Sequence, residues 1–196
     1  MKRLITFGCS HTRGEGVEVP AKQSWPAYLS SYMNLELVNL GVDGASNRYI
    51  QHSINTFEFK PDDTVVILWT YPDRYHIFSS KNHTRKGIAP SNSFTESILW
   101  YKHFHTTYNQ KFDNQTIVHQ ANSLLKEKNI TTYNIPVDLS FSYYFDLIKK
   151  QYIKISFTHY LELYPKGIDG KHMGFHGNHM FAHDMYKLIQ LSDNTK

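Results

Sequence analysis

The segment Thr64 to Thr70, Thr-Val-Val-Ile-Leu-Trp-Thr, constrains the fold more than any other. Its apolar residues are successive rather than alternate, and it is rich in β-branched side chains. That is the pattern of a strand buried on both faces, so it implies a sheet with helices above and below. The rest of the chain follows the same plan. Residues 3–7 read as a strand that stops at Gly8, and Leu35 to Asn39 as a second strand. Trp25, Tyr28, Leu29 and Tyr32 recur at i, i+3, i+4 and i+7, the spacing of a helix face. Ile50, Ile54 and Phe57 mark a second helix, and Pro61-Asp62-Asp63 a turn. Residues 71–93 lose periodicity and read as a long loop or small hairpin over the site. Residues 94–109 read as an aromatic helix. Ile117, Ala121, Leu124 and Leu125 mark another, ending near Asn129. Ile130 to Asn134 reads as a fourth strand and Val137 to Lys150 as a further helix. Phe181, Met185, Leu188 and Ile189 mark a C-terminal helix. Alternating strands and helices predict one α/β domain over 1–196, a three-layer α/β/α sandwich with a mostly parallel sheet and a variable insertion around 71–128.

Composition narrows the function classes. Hydrophobic residues make up 40% of the 196 and charged residues 19%, an ordinary globular balance. The net charge is +4, but Lys and Arg form no run of five. A solvated surface accounts for them better than a nucleic-acid groove. The single cysteine, Cys9, allows no disulfide within the chain. No apolar run approaches the roughly 18 residues of a spanning helix. The N-terminal apolar stretch is too short for a signal peptide. The expectation is a cytoplasmic protein that engages neither nucleic acid nor membrane.

In sheets of this kind the active site lies beyond the carboxyl ends of the strands. The loop after the first strand is Gly8-Cys9-Ser10-His11-Thr12-Arg13-Gly14-Glu15-Gly16. A Ser after a buried strand, beside glycines, can sit exposed on a tight turn with backbone N–H groups aimed at the same point. It can equally be a helix N-cap. Near the other end, Asp169-Gly170-Lys171-His172 places a carboxylate three residues before an imidazole. A serine nucleophile needs such a base and such an orienting partner. Taken alone, Asp169-Gly170 is also an ordinary turn.

Together these blocks resemble the SGNH (GDSL-type) hydrolases, whose first block is Gly-Asp-Ser and whose last is Asp-x-x-His. Phe7-Gly8-Cys9-Ser10 is most similar to the divergent phage and marine-virus branch. Asn39-Leu40-Gly41-Val42-Asp43-Gly44-Ala45-Ser46-Asn47 resembles the family's Asn-x-Gly-x-x-Gly-x-Ser-Asn. His172 to Ala182 resembles His-Pro-Ser-x-x-Gly-His-x-x-x-Ala, with Gly174 in place of the Ser. Residues 75–165 carry little of the resemblance. It implies an ester hydrolase without metal or organic cofactor, acting through an acyl-enzyme. Ser10 would be the nucleophile, His172 the base and then the acid, and Asp169 its orienting group. The Ser10 and Gly44 N–H groups would hold the oxyanion. The substrate would be a small-molecule or carbohydrate ester, with a small acyl group such as acetyl.

The chain departs from the family after the third strand, where Gly-x-Asn-Asp gives way to Leu68-Trp69-Thr70-Tyr71-Pro72. Thr70 and Asn47 are the candidates to replace the missing Asn as third oxyanion donor. Arg74, with Tyr71 on the same rim, binds a substrate carboxylate or phosphate, or else braces the loop. Tyr71, Tyr75, Phe78, Trp100, Tyr101 and Phe104 form either a sugar-stacking lid or core. Three alternatives stay open: Cys9 as nucleophile, a metal held by His172, His176, His179 and His183, and a binding module that has lost turnover. The sequence leaves the oligomeric state open.

Overall fold

A computed structural model describes residues 2–78, 85–90, 94–148 and 152–193. Four parallel strands form the sheet: β1 (Arg3–Gly8), β2 (Glu36–Gly41), β3 (Thr64–Trp69) and β6 (Thr131–Pro136), in the order β2-β1-β3-β6. A single parallel bridge, Asn134 to Tyr152, extends it one step beyond β6. Successive side chains of a strand face opposite ways, and the two cores follow that parity. Leu4, Val66 and Leu68 join one core with Trp25, Phe157, Phe181 and Met185. Ile5, Phe7, Val65, Ile67 and Trp69 join the other with Ile50, Ile54, Val118 and Leu125. The first core packs α3 (Trp25–Met33), α7 (Phe157–Leu163) and α8 (Phe175–Asp193) on one face. The second packs α4 (Asn47–Thr56) and α6 (Thr107–Glu127) on the other. The three-layer α/β/α architecture expected from the strand pattern is thus present. No helix among the described residues is long and apolar enough to cross a membrane.

Two further short helices, α1 (Ser10–Arg13) and α2 (Pro20–Gln23), lie between β1 and α3. The insertion holds the hairpin β4 (Tyr75–Phe78) and β5 (Arg85–Ile88), followed by α5 (Thr95–His103). The expected loop or hairpin is therefore a hairpin, although residues 79–84 and 91–93 lie outside the described set. It packs on α4 rather than over Ser10. His76 Nδ1 lies 2.9 Å from Ser46 Oγ, and the Phe78 ring sits 4.7 Å from that of His52.

Two expected elements differ, and one helix, α7, was not expected. The helix over 94–109 ends at His103, and α6 starts anew at Thr107, capped by Thr106 Oγ1 accepting from the Asn109 N–H. The helix expected over Val137–Lys150 is a 3₁₀ segment, Leu139–Phe145. Asp138 accepts from the Ser140 N–H there and sets a tight turn, while aromatic Tyr144 and Phe145 go into the core. The α7 helix lacked a legible apolar period.

The end of the sheet away from the active loops is tied by a bidentate ion pair. Arg3 Nε and Nη2 donate to Asp63 at 2.9 and 2.6 Å, and the Lys60 N–H adds a third bond at 2.7 Å. Burial raises the Asp63 carboxyl, but Arg3 and the Lys60 N–H outweigh it and hold it below the usual carboxylate range.

Candidate active site

The chain winds from β1 outward to β2 and back across to β3, so the topological switch point lies between β1 and β3. Ser10 sits there. It follows β1 by two residues and opens α1, so its N–H has no partner within that helix. Strands β1 and β3 pair in parallel up to Phe7 and Ile67, so the segments that carry Ser10 and Thr70 leave neighbouring strands at the same end of the sheet.

Block two fastens this loop to β2. Asn39 Nδ2 donates to Thr12 O at 2.8 Å, while its Oδ1 accepts from Thr6 Oγ1 and the Gly41 N–H. The backbone of α1 then crosses so close to Gly41 that a Cβ there would lie 2.3 Å from Arg13 N. Asn39-x-Gly41 is therefore a clasp plus a gap, each required by the other. Gly44 follows in a turn, with open space where a Cβ would stand. Its N–H meets no acceptor among the described residues.

The loop before α8 brings Asp169 and His172 to Ser10. A bridge between Lys166 and Met173 and a bond from the Gly167 N–H to His172 O close it into a narrow turn. The Ile168 N–H donates to Gly16 O at 2.9 Å, pinning this turn to the loop after β1. A Cβ at Gly167 would overlap that same oxygen, at 1.8 Å.

The result brings together residues 162 positions apart. His172 Nε2 lies 3.0 Å from Ser10 Oγ, and His172 Nδ1 lies 2.5 Å from Asp169 Oδ2. The other carboxylate oxygen accepts the N–H groups of Lys171 and His172, each at 2.9 Å. Those two backbone bonds, then the imidazole, hold the Asp169 carboxyl far below the usual carboxylate range. With an ionised carboxylate at Nδ1, that nitrogen carries the imidazole proton. Nε2 is left to accept from the Ser10 hydroxyl. Cys9 is fully buried in the second core, on the side of the strand away from this relay.

Asn47 does not offer the expected oxyanion donor, and Thr70 lies beside it. Both are buried, and Thr70 is fully so. Asn47 Oδ1 accepts from the Thr70 N–H at 2.7 Å; its Nδ2 donates to Thr70 O at 3.2 Å and to Asn114 Oδ1 at 2.7 Å. Both amide hydrogens are committed, so Asn47 braces the end of β3 instead of offering an oxyanion donor. Tyr144 adds a hydroxyl bond to Thr70 O. Thr70 Oγ1 accepts from Arg74 Nη1 at 3.2 Å, and the Arg74 guanidinium lies over the Tyr71 ring at 4.8 Å. Thus the third strand presents Arg74 and Tyr71 at the rim, with Thr70 as their anchor.

The sequence reading passed over His11. Its ring packs 4.5 Å from Phe157 and 5.2 Å from the His172 ring. Its Nδ1 is buried without a partner among the described residues. Burial, reinforced by His172, Arg74 and Lys166, lowers its pKa to about 3, so it is neutral beside His172. The only sequence signal was its place directly after Ser10.

The C-terminal histidines do not converge. His176 packs on Tyr164, His179 bonds Tyr32 Oη at 2.7 Å, and His183 pairs with Asp184. Among the described residues no three His, Cys, Asp or Glu side chains gather to hold a metal. The aromatic set is divided too. Tyr71 approaches His11, Phe78 packs on α4, and Tyr75 and Trp100 stack on each other.

No sequence-family model and no curated protein sequence matches the chain. Solved structures do match. A lipolytic protein of the G-D-S-L family from Desulfitobacterium hafniense superposes with a TM-score of 0.59 at 13% identity, over 96% of this chain and 99% of that one. An acetyl xylan esterase from Butyrivibrio proteoclasticus gives 0.63 at 10% identity, over 98% and 64%. The esterase EstA from Pseudoalteromonas gives 0.58 at 11%, over 99% and 100%. The likeness is one of fold, shared with these lipolytic and esterase structures.

Proposed function

We propose that the protein is a serine ester hydrolase with Ser10, His172 and Asp169 as its triad. One observation carries the reading: the run of hydrogen bonds from Ser10 Oγ through both ring nitrogens of His172 to Asp169, at 3.0 and 2.5 Å. Ser10 Oγ attacks the ester carbonyl carbon as its proton passes to His172 Nε2. The negative charge falls on the carbonyl oxygen and is held by the N–H groups of Ser10 and Gly44. Collapse breaks the ester C–O bond, and His172 returns the proton to the departing alcohol. Water then attacks the acyl-Ser10 by the same relay and releases the acid. Arg74 and Tyr71 contact the substrate at the rim of β3. The acyl group is small, such as acetyl.

With both amide hydrogens of Asn47 committed elsewhere, this oxyanion hole has two backbone donors and no side-chain amide. Loss of one donor elsewhere costs roughly 10²–10³ in turnover, so a low kcat is expected. The same observation favours a second reading, a binding module on this fold with negligible turnover. Hydrolysis of p-nitrophenyl acetate by wild type and Ser10→Ala, with and without chelator, separates the readings. The first expects Ser10-dependent activity, indifferent to chelator. Activity that survives Ser10→Ala overturns the triad. Stoichiometric phosphonylation of wild type but not Ser10→Ala by a nitrophenyl phosphonate, read by mass, supports a reactive serine even where turnover is slow. No hydrolysis and no labelling supports the module.

A further inference from the structure

The hydrogen bond to Asp169 fixes one end of the His172 ring, at Nδ1, and leaves the other end to be aimed by packing. The side chain is 22% exposed, so solvent borders only part of it. Its stem is stopped by Gly16, where a Cβ would lie 2.8 Å from that of His172. The ring is met edge-to-face by His11, with centroids 5.2 Å apart and planes at 66°. His11 has little room to withdraw. It is 7% exposed, with Phe157 packed on it at 4.5 Å and Tyr71 at 6.3 Å. Phe157 in turn packs on Phe181 at 5.0 Å, within the first core. A line of rings therefore runs from the core to His172.

The placement and chemistry of His11 limit what it can do there. It directly follows Ser10 on α1, and Asn39 clasps the next residue, Thr12, by its carbonyl. Nucleophile and supporting ring thus share one short, fastened element. His11 Nδ1 is buried without a partner among the described residues, so the contact with His172 works by shape. His11 is also uncharged. Burial, then His172, Arg74 and Lys166, disfavour a proton on it and outweigh Asp169. That matters because the base of such a triad takes up a proton in each half-reaction. A second cation against it would oppose that step.

We propose that His11 is a positioning residue: its ring, carried on the same helix as the nucleophile, holds the His172 imidazole toward Ser10 Oγ. This role rests on the ester-hydrolase reading. A misplacement of about 1 Å in such a site can cost roughly 10²-fold in rate, so the support is expected to show in kcat.

Three substitutions test it. His11→Phe keeps a flat, uncharged ring; His11→Gln keeps a polar side chain without a ring; His11→Ala keeps neither. On p-nitrophenyl acetate, His11→Phe is expected to retain kcat within about threefold. In His11→Gln and His11→Ala kcat should fall about tenfold or more, with KM within about twofold, the pattern of a group that acts on the transition state. His11→Gln covers the case in which His11→Ala does not fold. A second readout needs no turnover. The low-field proton resonance of the Asp169–His172 bond, identified by its loss in Asp169→Asn, should be sharp in wild type and His11→Phe. It should be broadened or lost in the ringless variants, with near-ultraviolet circular dichroism otherwise that of wild type. Wild-type kcat or a sharp resonance in a folded ringless variant overturns the proposal. So does a His11→Phe protein as impaired as His11→Gln, or a wild type without the resonance. Ester hydrolysis that survives Ser10→Ala removes the hydrolase reading instead, and the resonance then still decides whether His11 holds the ring.

Discussion

At the scale of single residues, His11 and Asp169 show how differently two groups beside one imidazole are tuned. Asp169 is ringed by N–H donors and stays ionised; His11 is enclosed by aromatic rings and stays neutral. Removing the charge while keeping the shape, Asp169→Asn, is expected to leave the fold intact and lower kcat by about 10³–10⁴ on p-nitrophenyl acetate, because the tautomer of His172 is no longer set. His11 makes a prediction about pH. In the unfolded chain it takes up a proton near the ordinary imidazole value of 6.5, but in the fold only near 3. The unfolded state therefore binds more protons between those values, and stability falls as pH drops through that window. His11→Phe removes this contribution. Urea unfolding at pH 7 and pH 4.5 should show a smaller acid loss in the variant, and an unchanged loss would overturn the assignment. His11 was invisible in sequence as a site residue, since only packing reveals that its ring abuts that of His172.

At the scale of elements, the site depends on how loops are fastened to one another. The Asn39 clasp needs α1 to pass over Gly41. Gly41→Ala forces that helix away and should cost several kcal/mol of stability and most of the activity together, read by urea unfolding and ester turnover. Asn47 ties α4 to the end of β3 through both the N–H and the carbonyl of Thr70. Asn47→Ala leaves the buried Thr70 N–H without its partner, at about 1–3 kcal/mol, while Thr70 O keeps the Tyr144 hydroxyl. It should destabilise, whereas an oxyanion donor would chiefly lower kcat. The strands were legible here because each is a short apolar run, and β3 was read to within one residue. The 3₁₀ segment Leu139–Phe145 was not, because its aromatic residues satisfy a helical period while Asp138 sets a tighter turn. The break between α5 and α6 was missed for a related reason: the cap at Thr106 is a local hydrogen bond inside an otherwise continuous aromatic stretch.

At the scale of the whole molecule, the two ends of the sheet have separate duties. The carboxyl ends carry Ser10, Gly44, Arg74 and His172; the opposite end is locked by Arg3 and Asp63. Breaking one partner of a buried ion pair elsewhere costs about 3–5 kcal/mol. Asp63→Asn should therefore lower the urea midpoint strongly, with the slope unchanged, yet leave kcat/KM for p-nitrophenyl acetate within about twofold. A large loss of kcat/KM in a folded variant would mean that the ends are coupled. By itself, the sequence determined the sandwich, because strand and helix periods are local properties of neighbouring residues. It also supplied Ser10, Asp169 and His172 as candidates through short blocks. Only the tertiary structure decided that Ser10 and His172 stand 3.0 Å apart, that the Asn47 amide is spent on Thr70 and Asn114, and that His11 lies against the His172 ring. Those facts depend on which loops meet at the switch point and which side chains find partners there, and contacts across 162 positions leave no periodic trace in the chain.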